Sequence, residues 1–196
     1  MKKNLIIIFL VSFVYYANCQ ELGVKTGTNL AKDRTINTPF NIGIYFTNKI
    51  SHKYEVLLSY DFSKKTQQYK EVDLQEEFKG HCINMGMSYL QKLTNKFDFK
   101  IGLSLGYCYY DILYKGINSR WISKFNAHYL GGNILVGIEY NDFFSLPIDL
   151  ELLIAPNYYY NMSQTIEPTI VLSEKRENLE FVNLSFGVKY KFNRKK

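Results

Sequence analysis

The chain has 196 residues, with 17 Tyr and 14 Phe against a single Trp, and a formal net charge of +6. This length suits one domain with its own core, and the abundance of Tyr and Phe favours strands and boundaries between apolar and polar surroundings. The positive charge is modest and concentrated in the C-terminal tail, so it gives weak support to contact with anionic lipid and argues against a nucleic-acid partner.

The first residues have the layout of a secretory signal peptide. Two lysines precede an uncharged apolar run at residues 5–14, which is too short to cross a bilayer as a helix. Small residues three and one positions before the cut predict cleavage after Cys19, so residues 1–19 form the signal peptide and residues 20–196 form the mature domain. In the alternative, Cys19 is the lipidated first residue of a lipoprotein, although its neighbours fit a lipobox poorly.

After Gln20, apolar and polar residues alternate with period two along most of the chain, and no long segment keeps a helical period. In the clearest segment, Phe97 to Tyr110, one face is apolar with aromatic residues at both ends, and the other face is small or polar. This segment exceeds the roughly five or six residues of a soluble strand and is long enough for a tilted membrane-spanning strand, which needs about nine to eleven. In chain order, the predicted strands are Glu21–Ala31, Phe40–Ile50, Tyr54–Ser63, Phe78–Leu90, Phe97–Tyr110, His128–Tyr140, Pro147–Asn161 and Phe181–Phe192.

Short connections between these strands alternate with long polar ones. The short links are residues 51–53, 91–96 and 141–146, and the long links are residues 32–39, 64–77, 111–127 and 162–180. An even number of antiparallel strands, with short turns at one end and long loops at the other, is typical of bacterial outer-membrane barrels. The sequence therefore predicts an all-β fold, an eight-stranded antiparallel up-and-down transmembrane β-barrel in the outer membrane of a Gram-negative cell, with both termini periplasmic.

Aromatic residues cluster at the predicted strand ends and indicate two girdles at the membrane boundaries. The outer girdle comprises Tyr60, Phe62, Tyr107, Tyr109, Tyr158 and Tyr160, and the periplasmic girdle comprises Phe46, Tyr54, Tyr89, Phe97, Phe99, Tyr140, Tyr190 and Phe192. The structural alternative is a soluble, lipocalin-like barrel, which would turn the apolar faces inside around a ligand cavity.

The mature chain opens with Gly23-Val24-Lys25-Thr26-Gly27-Thr28-Asn29-Leu30. This segment resembles the opening strand of the porin-family outer-membrane barrel domain, which carries a Gly-x-Lys-x-Gly-x-Asn pattern, and Leu57-Leu58-Ser59-Tyr60 resembles the third strand of that family. The group includes PorT-like proteins, and the layout is similar to that of OmpA-like eight-stranded barrels. The chain departs from the pattern at its end, where Asn193-Arg194-Lys195-Lys196 follow the terminal aromatic Phe192. The resemblance implies the fold and the location, and it makes an accessory role in a secretion or envelope-assembly machine the alternative function.

With the apolar faces turned to lipid, ionisable residues point into the barrel. The predicted lumenal charge network comprises Lys25, Glu55, Lys100, Glu139, Glu151 and Lys189, and Tyr45 and Asp61 share the interior. We expect opposite charges to pair there, because an unpaired buried charge is costly, while trapped water around single charges is the alternative. Eight strands enclose a space that side chains can fill. We therefore expect a structural charge network and a plugged lumen with no diffusion pore.

Cys82 and Cys108 point inwards on neighbouring predicted strands. If the turn at residues 91–96 closes with Leu93 opposite Phe97, the register places the two cysteines face to face, whereas a shift of two residues would separate them. An oxidising periplasm allows a disulfide. A disulfide and two reduced thiols both remain open, and either would be structural.

No motif in the sequence indicates catalysis clearly. His128 and Glu139 faintly resemble the His, Ser, Glu arrangement of lipid A deacylases, but Leu130 stands where a nucleophilic Ser is needed. No Cys/His cluster has metal-binding spacing and no glycine loop has a phosphate-binding pattern, so we expect no cofactor and no metal. The prediction is a non-enzyme, with a lipid A-modifying enzyme as the alternative. Its expected partners are outer-membrane lipid and lipopolysaccharide. A surface protein is the expected further partner of the long loops, and a periplasmic protein is the expected partner in the secretion or assembly alternative.

Overall fold

The structure is a computed structural model that describes residues 21–31, 38–118, 122–167 and 178–192. The predicted signal peptide at residues 1–19, the alternative lipidation site Cys19 and the basic tail at residues 193–196 lie outside the described residues. Among the described residues, no helix is long and apolar enough to cross a membrane.

Eight antiparallel strands form one closed barrel, in which each strand pairs with the next and β8 pairs with β1. Two 3-10 helices, Lys70–Val72 and Phe143–Ser145, lie in connections. The strands are β1 (Glu21–Ala31), β2 (Thr38–Lys49), β3 (Tyr54–Tyr69), β4 (Leu74–Lys92), β5 (Phe97–Gly116), β6 (Ile122–Tyr140), β7 (Ile148–Glu167) and β8 (Leu179–Lys191). This architecture confirms the predicted fold class.

The two ends of the barrel differ in their connections. The end that holds the start of β1 and the end of β8, here called the terminal end, has the short connections at residues 50–53, 93–96 and 141–147. The opposite end, called the loop end, has the remaining connections. At the terminal end, the predicted strand boundaries agree with the structure to within one or two residues, because short turns bring neighbouring strands into register at once.

At the loop end, the predicted boundaries of β3, β4, β5, β6 and β7 were wrong by several residues. Strand β3 continues to Tyr69, β5 continues to Gly116 and β6 begins at Ile122, so much of the predicted loops at residues 64–77 and 111–127 is paired strand. Outward residues such as Lys64 and Thr66 are polar there, which resembles a loop, but inward residues such as Ile112 and Phe125 are apolar and buried. Burial of that inner face keeps the strands paired.

The apolar faces point outwards, as expected for a barrel in lipid. Leu103 and Leu105 are 68% and 74% exposed, while Lys100 on the same strand is fully buried inside the barrel. This arrangement is the reverse of a soluble barrel, in which the apolar faces would line the interior. The lipocalin-like alternative is therefore wrong.

Glycines at the terminal end make room for one large lumenal side chain. Tyr45 is buried, and its ring lies across the barrel wall over Gly23, its direct partner on β1, and over Gly187 on β8. A Cβ atom at either glycine would overlap the Tyr45 side chain. Close approach of a side chain, rather than turn geometry, requires glycine at these positions.

Candidate functional site in the barrel interior

The interior differs in chemistry between its two ends. At the terminal end lies a charge network, and at the loop end lies an aromatic cluster. The charge network consists of Glu21, Lys49, Glu55, Lys100, Glu139, Asp149, Glu151, Lys189 and Lys191. The aromatic cluster consists of Phe78, Cys108, Tyr110, Ile112, Phe125, Ala127, Tyr129, Tyr159, Leu179 and Phe181.

Lys100 connects two carboxylates from opposite sides of the barrel. Its ammonium group forms ion pairs with Glu55 on β3 and with Glu151 on β7, at 2.6 Å in the second case. All three side chains are buried, since each occupies an inward position of its strand. Charged groups withdrawn from water to this extent depend on each other for stabilisation.

Lys189 on β8 forms the second centre of the charge network. It pairs with Glu139 on β6 and with Glu21 on β1, at 3.1 Å from the latter, and Glu55 lies 4.0 Å away. Lys49 lies 3.3 Å from both Glu21 and Glu139. Glu55 therefore links the two centres, because its carboxylate lies near the ammonium groups of both Lys100 and Lys189.

Asp149 extends the network towards the terminal opening. It lies 2.8 Å from Lys191 and accepts a hydrogen bond of 2.8 Å from the backbone N–H of Asp142. Ligand oxygens of Glu21, Glu139 and Asp149 lie within 4.8 Å of one another. The ammonium groups of neighbouring lysines supply their counter-charge, so this convergence is part of the ion-pair network.

The structure brings five of the six residues of the predicted network together, and Lys25 lies apart from them. Lys25 pairs with Asp61 at 3.0 Å, and its ammonium group lies 5.9 Å from the centroid of the Tyr45 ring. Asn84 donates a hydrogen bond of 3.3 Å to Asp61. This pair lies one level nearer the middle of the barrel, since Lys25 is two inward positions beyond Glu21 on β1.

Sequence reasoning did not single out Glu21, Lys49, Asp149 and Lys191. These residues lie at the ends of strands, where a charged residue normally marks a solvated turn. The signal that could have identified them is parity, because each shares its inward face with a residue that was predicted to be lumenal, such as Lys25 on β1 or Lys189 on β8.

Amide side chains form a polar belt in the middle of the interior. Asn29 accepts hydrogen bonds of 3.0 Å from Asn41 and 2.7 Å from Asn183, and it donates one of 3.1 Å to Ser63. Tyr159 donates a hydrogen bond of 2.7 Å to Asn84. The belt satisfies polar groups that have little access to water.

The two cysteines lie at the boundary between this belt and the aromatic cluster. Cys82 on β4 and Cys108 on β5 are direct register partners, their Cα atoms are 4.1 Å apart, and a disulfide joins their sulfur atoms. Next to them, the centroid of the Tyr110 ring lies 5.0 Å from that of Phe78 and 5.5 Å from that of Tyr129. The sequence prediction missed this cluster in part because Ile112, Phe125 and Ala127 lie in the segment that was predicted to be a loop.

A third feature lies on the outside of the barrel. Phe62, His81, Tyr109 and His128 form one row across strands β3 to β6, with neighbouring ring centroids 5.1, 6.3 and 5.0 Å apart. Tyr60 is hydrogen-bonded to Nδ1 of His81 at 2.7 Å, and Tyr107 is hydrogen-bonded to Nδ1 of His128. This row contains Phe62 and Tyr109 of the predicted outer girdle and adds two imidazoles, while Tyr60 and Tyr107 of that girdle lie beside it.

The structure separates the residues of the enzyme alternative. His128 and Leu130 point outwards, whereas Glu139 is buried inside the barrel and paired with Lys189. A catalytic triad needs its members within hydrogen-bond reach of each other, and these residues lie on opposite sides of the barrel wall. They therefore form no deacylase-type site.

Comparison with known proteins places the fold. No family model matches the sequence, and no curated protein matches it. Among solved structures, Neisserial surface protein A (NspA) is similar with a TM-score of 0.60 and 18% sequence identity, covering 88% of this chain and 96% of that chain. A major outer membrane protein from Thermus thermophilus gives a TM-score of 0.60 at 12% identity, covering 88% of this chain and 99% of that chain.

A third similar structure is Ail, the attachment invasion locus protein of Yersinia pestis, in complex with the heparin analogue sucrose octasulfate. It has a TM-score of 0.51 at 12% identity, covering 88% of this chain and 99% of that chain. At these identities, the likeness concerns the fold alone. The chain therefore has the fold of OmpA-like, eight-stranded outer-membrane barrels, as the sequence predicted.

Proposed function

We propose that the chain is a small integral outer-membrane protein with a plugged lumen and a structural or surface-contact role through its loop end. The observation that carries this proposal is the inverted barrel wall. Large apolar side chains cover its outside, and an ion-pair network occupies its inside. Such a wall is stable only where the outer surface meets lipid, because water would otherwise contact a large apolar band.

Aromatic contacts at both ends of the apolar band support membrane insertion. At the terminal end, Phe97 and Tyr140 have ring centroids 4.9 Å apart, and Tyr190 and Phe192 have centroids 5.3 Å apart. At the loop end lies the row of rings that contains Tyr109. Aromatic side chains with polar tips favour both membrane–water boundaries, so two such belts delimit a spanning band.

The filled interior supports a role without transport. Between the charge network and the aromatic cluster lies a cavity of about 40 Å³, lined in part by Asn41, Ser59 and Tyr159. A cavity of this size holds only a few waters, since one water needs about 10–15 Å³. We propose that the lumen is closed to solutes and that contacts with other molecules are made at the loop end and along the lipid-facing wall.

The proposal includes export by the N-terminal signal peptide, cleavage after Cys19 and an orientation with both termini in the periplasm. Short turns face the periplasm and longer connections face the exterior in bacterial barrels of this kind. The terminal end has the short connections, and we assign it to the periplasm for that reason.

Membrane insertion is tested by folding the mature chain in detergent and comparing its gel migration before and after boiling, with carbonate extraction of membranes alongside. We expect heat-modifiable migration and resistance to extraction. Addition of the folded protein to a planar bilayer should give no steady conductance. A protein that is soluble without detergent would overturn the proposal, and a steady conductance would overturn the plugged lumen alone.

A further inference from the structure

Strands β3 to β6 carry ordered rows of outward side chains at the loop end. The first row is the ring row of Phe62, His81, Tyr109 and His128, and the next row towards the loop end is Lys64, Lys79, Asp111 and Asn126. The row beyond it is Thr66, Glu77, Leu113 and Lys124. We call the side chains of the second and third rows the lysine face.

Two lysines of this face oppose each other directly. Lys64 on β3 is the register partner of Lys79 on β4, both point outwards, and both are exposed. Like charges in directly opposed positions of an antiparallel pair repel each other. Within the described ranges, neither lysine forms an ion pair. The fold therefore holds two unneutralised cations side by side just beyond a row of rings.

The acidic groups of the face leave it with an excess of positive charge. On β5, Asp111 is the register partner of Lys79, but the two side chains form no ion pair. The Lys115 ammonium group donates a hydrogen bond of 2.8 Å to Glu77, which lowers the pKa of that carboxyl. The negative charge of Glu77 is therefore balanced by Lys115. Lys124 is exposed on the third row. Lys79 and Lys124 line a cavity of about 200 Å³ together with Glu77 and Asp111.

The lysine face occupies one side of the barrel only. In the described parts of β7, β8, β1 and β2, the outward positions near the loop end carry no lysine or arginine. They carry apolar and aromatic side chains such as Leu30, Tyr158 and Tyr160, and the acid Glu180. A general preference of the rim for cations would give a ring of lysines, whereas the structure places them on four adjacent strands.

The position of the face indicates its ligand. The ring row beneath it contains hydrogen-bonded Tyr and His side chains, which suit the membrane–water boundary. Side chains one and two rows further out then lie at the level of the lipid headgroups, because successive outward rows are about 6–7 Å apart along a strand. The negative groups at that level are lipid phosphates, and lysine is a common phosphate-binding residue.

We propose that the lysine face binds a phosphate group carried on the headgroup of an outer-leaflet lipid, with Lys64 and Lys79 as the primary contacts and Lys124 as a secondary one. Binding relieves the repulsion between Lys64 and Lys79. This inference rests on the proposed membrane insertion and deepens it, since it names the lipid chemistry and the side of the barrel that recognises it.

The test compares the unchanged protein with a Lys64→Gln/Lys79→Gln variant. Each is folded in detergent, mixed with lipid A that carries two phosphates or with the same lipid after enzymatic dephosphorylation, and examined by native mass spectrometry for retained lipid. We expect the unchanged protein to retain the phosphorylated lipid about tenfold more strongly than the dephosphorylated lipid, as for one charge-assisted contact. The variant, which keeps only the secondary contact Lys124, should lose most of this preference.

A matched control removes the same charge elsewhere. Lys53 and Lys92 are exposed at the terminal end, and a Lys53→Gln/Lys92→Gln variant should keep the preference of the unchanged protein. Thermal unfolding in detergent without lipid gives an independent readout. The Lys64→Gln/Lys79→Gln variant should be at least as stable as the unchanged protein, because it loses a repulsion. Phosphorylated lipid should raise the unfolding temperature of the unchanged protein and of the control variant more than that of the Lys64→Gln/Lys79→Gln variant.

Several results would overturn the inference. Equal retention of both lipids by the unchanged protein would show that the phosphate is not recognised, and loss of the preference in the control variant would show general charge attraction. Displacement of the lipid by inorganic phosphate at the same concentration would identify the face as a free-anion site. Failure of the chain to show heat-modifiable migration would overturn the membrane proposal itself, which separates the two failures.

Discussion

At the terminal end, ion pairs centred on Lys100 and Lys189 fill the barrel, whereas at the loop end rings such as Phe78 and Tyr110 fill it beside a disulfide. Both levels close the same lumen, but they respond differently to change. A buried ion pair is costly to break, because the remaining partner keeps its charge without compensation. An apolar cluster loses free energy in proportion to the buried volume that is removed. Single substitutions can therefore distinguish the two levels.

The largest effect is expected for Lys100→Met, which leaves Glu55 and Glu151 buried without their shared cation. Breaking a buried pair in this way costs about 3–5 kcal/mol of unfolding free energy. Urea unfolding of the protein in lipid vesicles measures it. The matched control is Lys92→Met, at an exposed position on a neighbouring strand, and similar losses in the two variants would show that Lys100 is not held by ion pairs.

For the charge network, we also expect stability to be recovered when all members of an ion-pair group are replaced together. Replacing Lys100, Glu55 and Glu151 together by Met, Leu and Leu removes all three buried charges, and apolar replacement of a complete buried ion-pair group is often neutral in stability. We expect the triple variant to recover most of the loss seen in Lys100→Met. If the triple variant is less stable than the single variant, packing rather than charge compensation dominates at this level.

At the loop end, Phe78→Ala should destabilise the protein by about 3 kcal/mol, since it creates a cavity among buried rings. The same urea measurement applies, and Phe62→Ala is a control on the outer face of β3. Phe78→Leu should recover part of the loss, because it restores apolar volume. An unchanged stability of Phe78→Ala would show that the aromatic cluster does not hold the extended strands together.

A comparable or smaller effect is expected from the disulfide at the edge of this cluster. Cys82 and Cys108 are separated by 26 residues, and a disulfide typically stabilises a protein by about 2–4 kcal/mol. Unfolding of the Cys82→Ala/Cys108→Ala variant, compared with the unchanged protein before and after reduction, measures it. If reduction leaves the stability of the unchanged protein the same, the bond contributes nothing in the folded barrel.

The smallest effect is expected at the pair that lies apart from the charge network. Lys25 and Asp61 are 12% and 18% exposed, so water compensates part of the charge that Lys25→Met would leave behind. We expect a loss of about 1 kcal/mol, in the range of a partly solvated pair. A loss as large as that of Lys100→Met would show that Lys25 belongs energetically to the charge network.

Local pattern was sufficient for the number and order of the strands and for the direction of their faces, although not for their length at the loop end. The alternation around Leu103 and Leu105 identified the lipid-facing side, and the short turn before Phe97 set the register that places Cys82 opposite Cys108. These features depend on the period of a strand and on the length of a turn, which are properties of neighbouring residues. The opening strand, Glu21–Ala31, was predicted with its observed bounds for the same reason.

The ion-pair partners of side chains across the lumen, by contrast, depend on how the sheet closes into a barrel. The sequence alone determined that Lys100, Glu151 and Lys25 point inwards, but only the stagger of the closed sheet placed Glu151 against Lys100 and left Lys25 with Asp61. The extension of β5 to Gly116 was likewise decided by the packing of buried rings against each other from different strands. Strand tilt and stagger are set jointly by all eight strands, so these contacts belong to the tertiary structure and to no single segment of the chain.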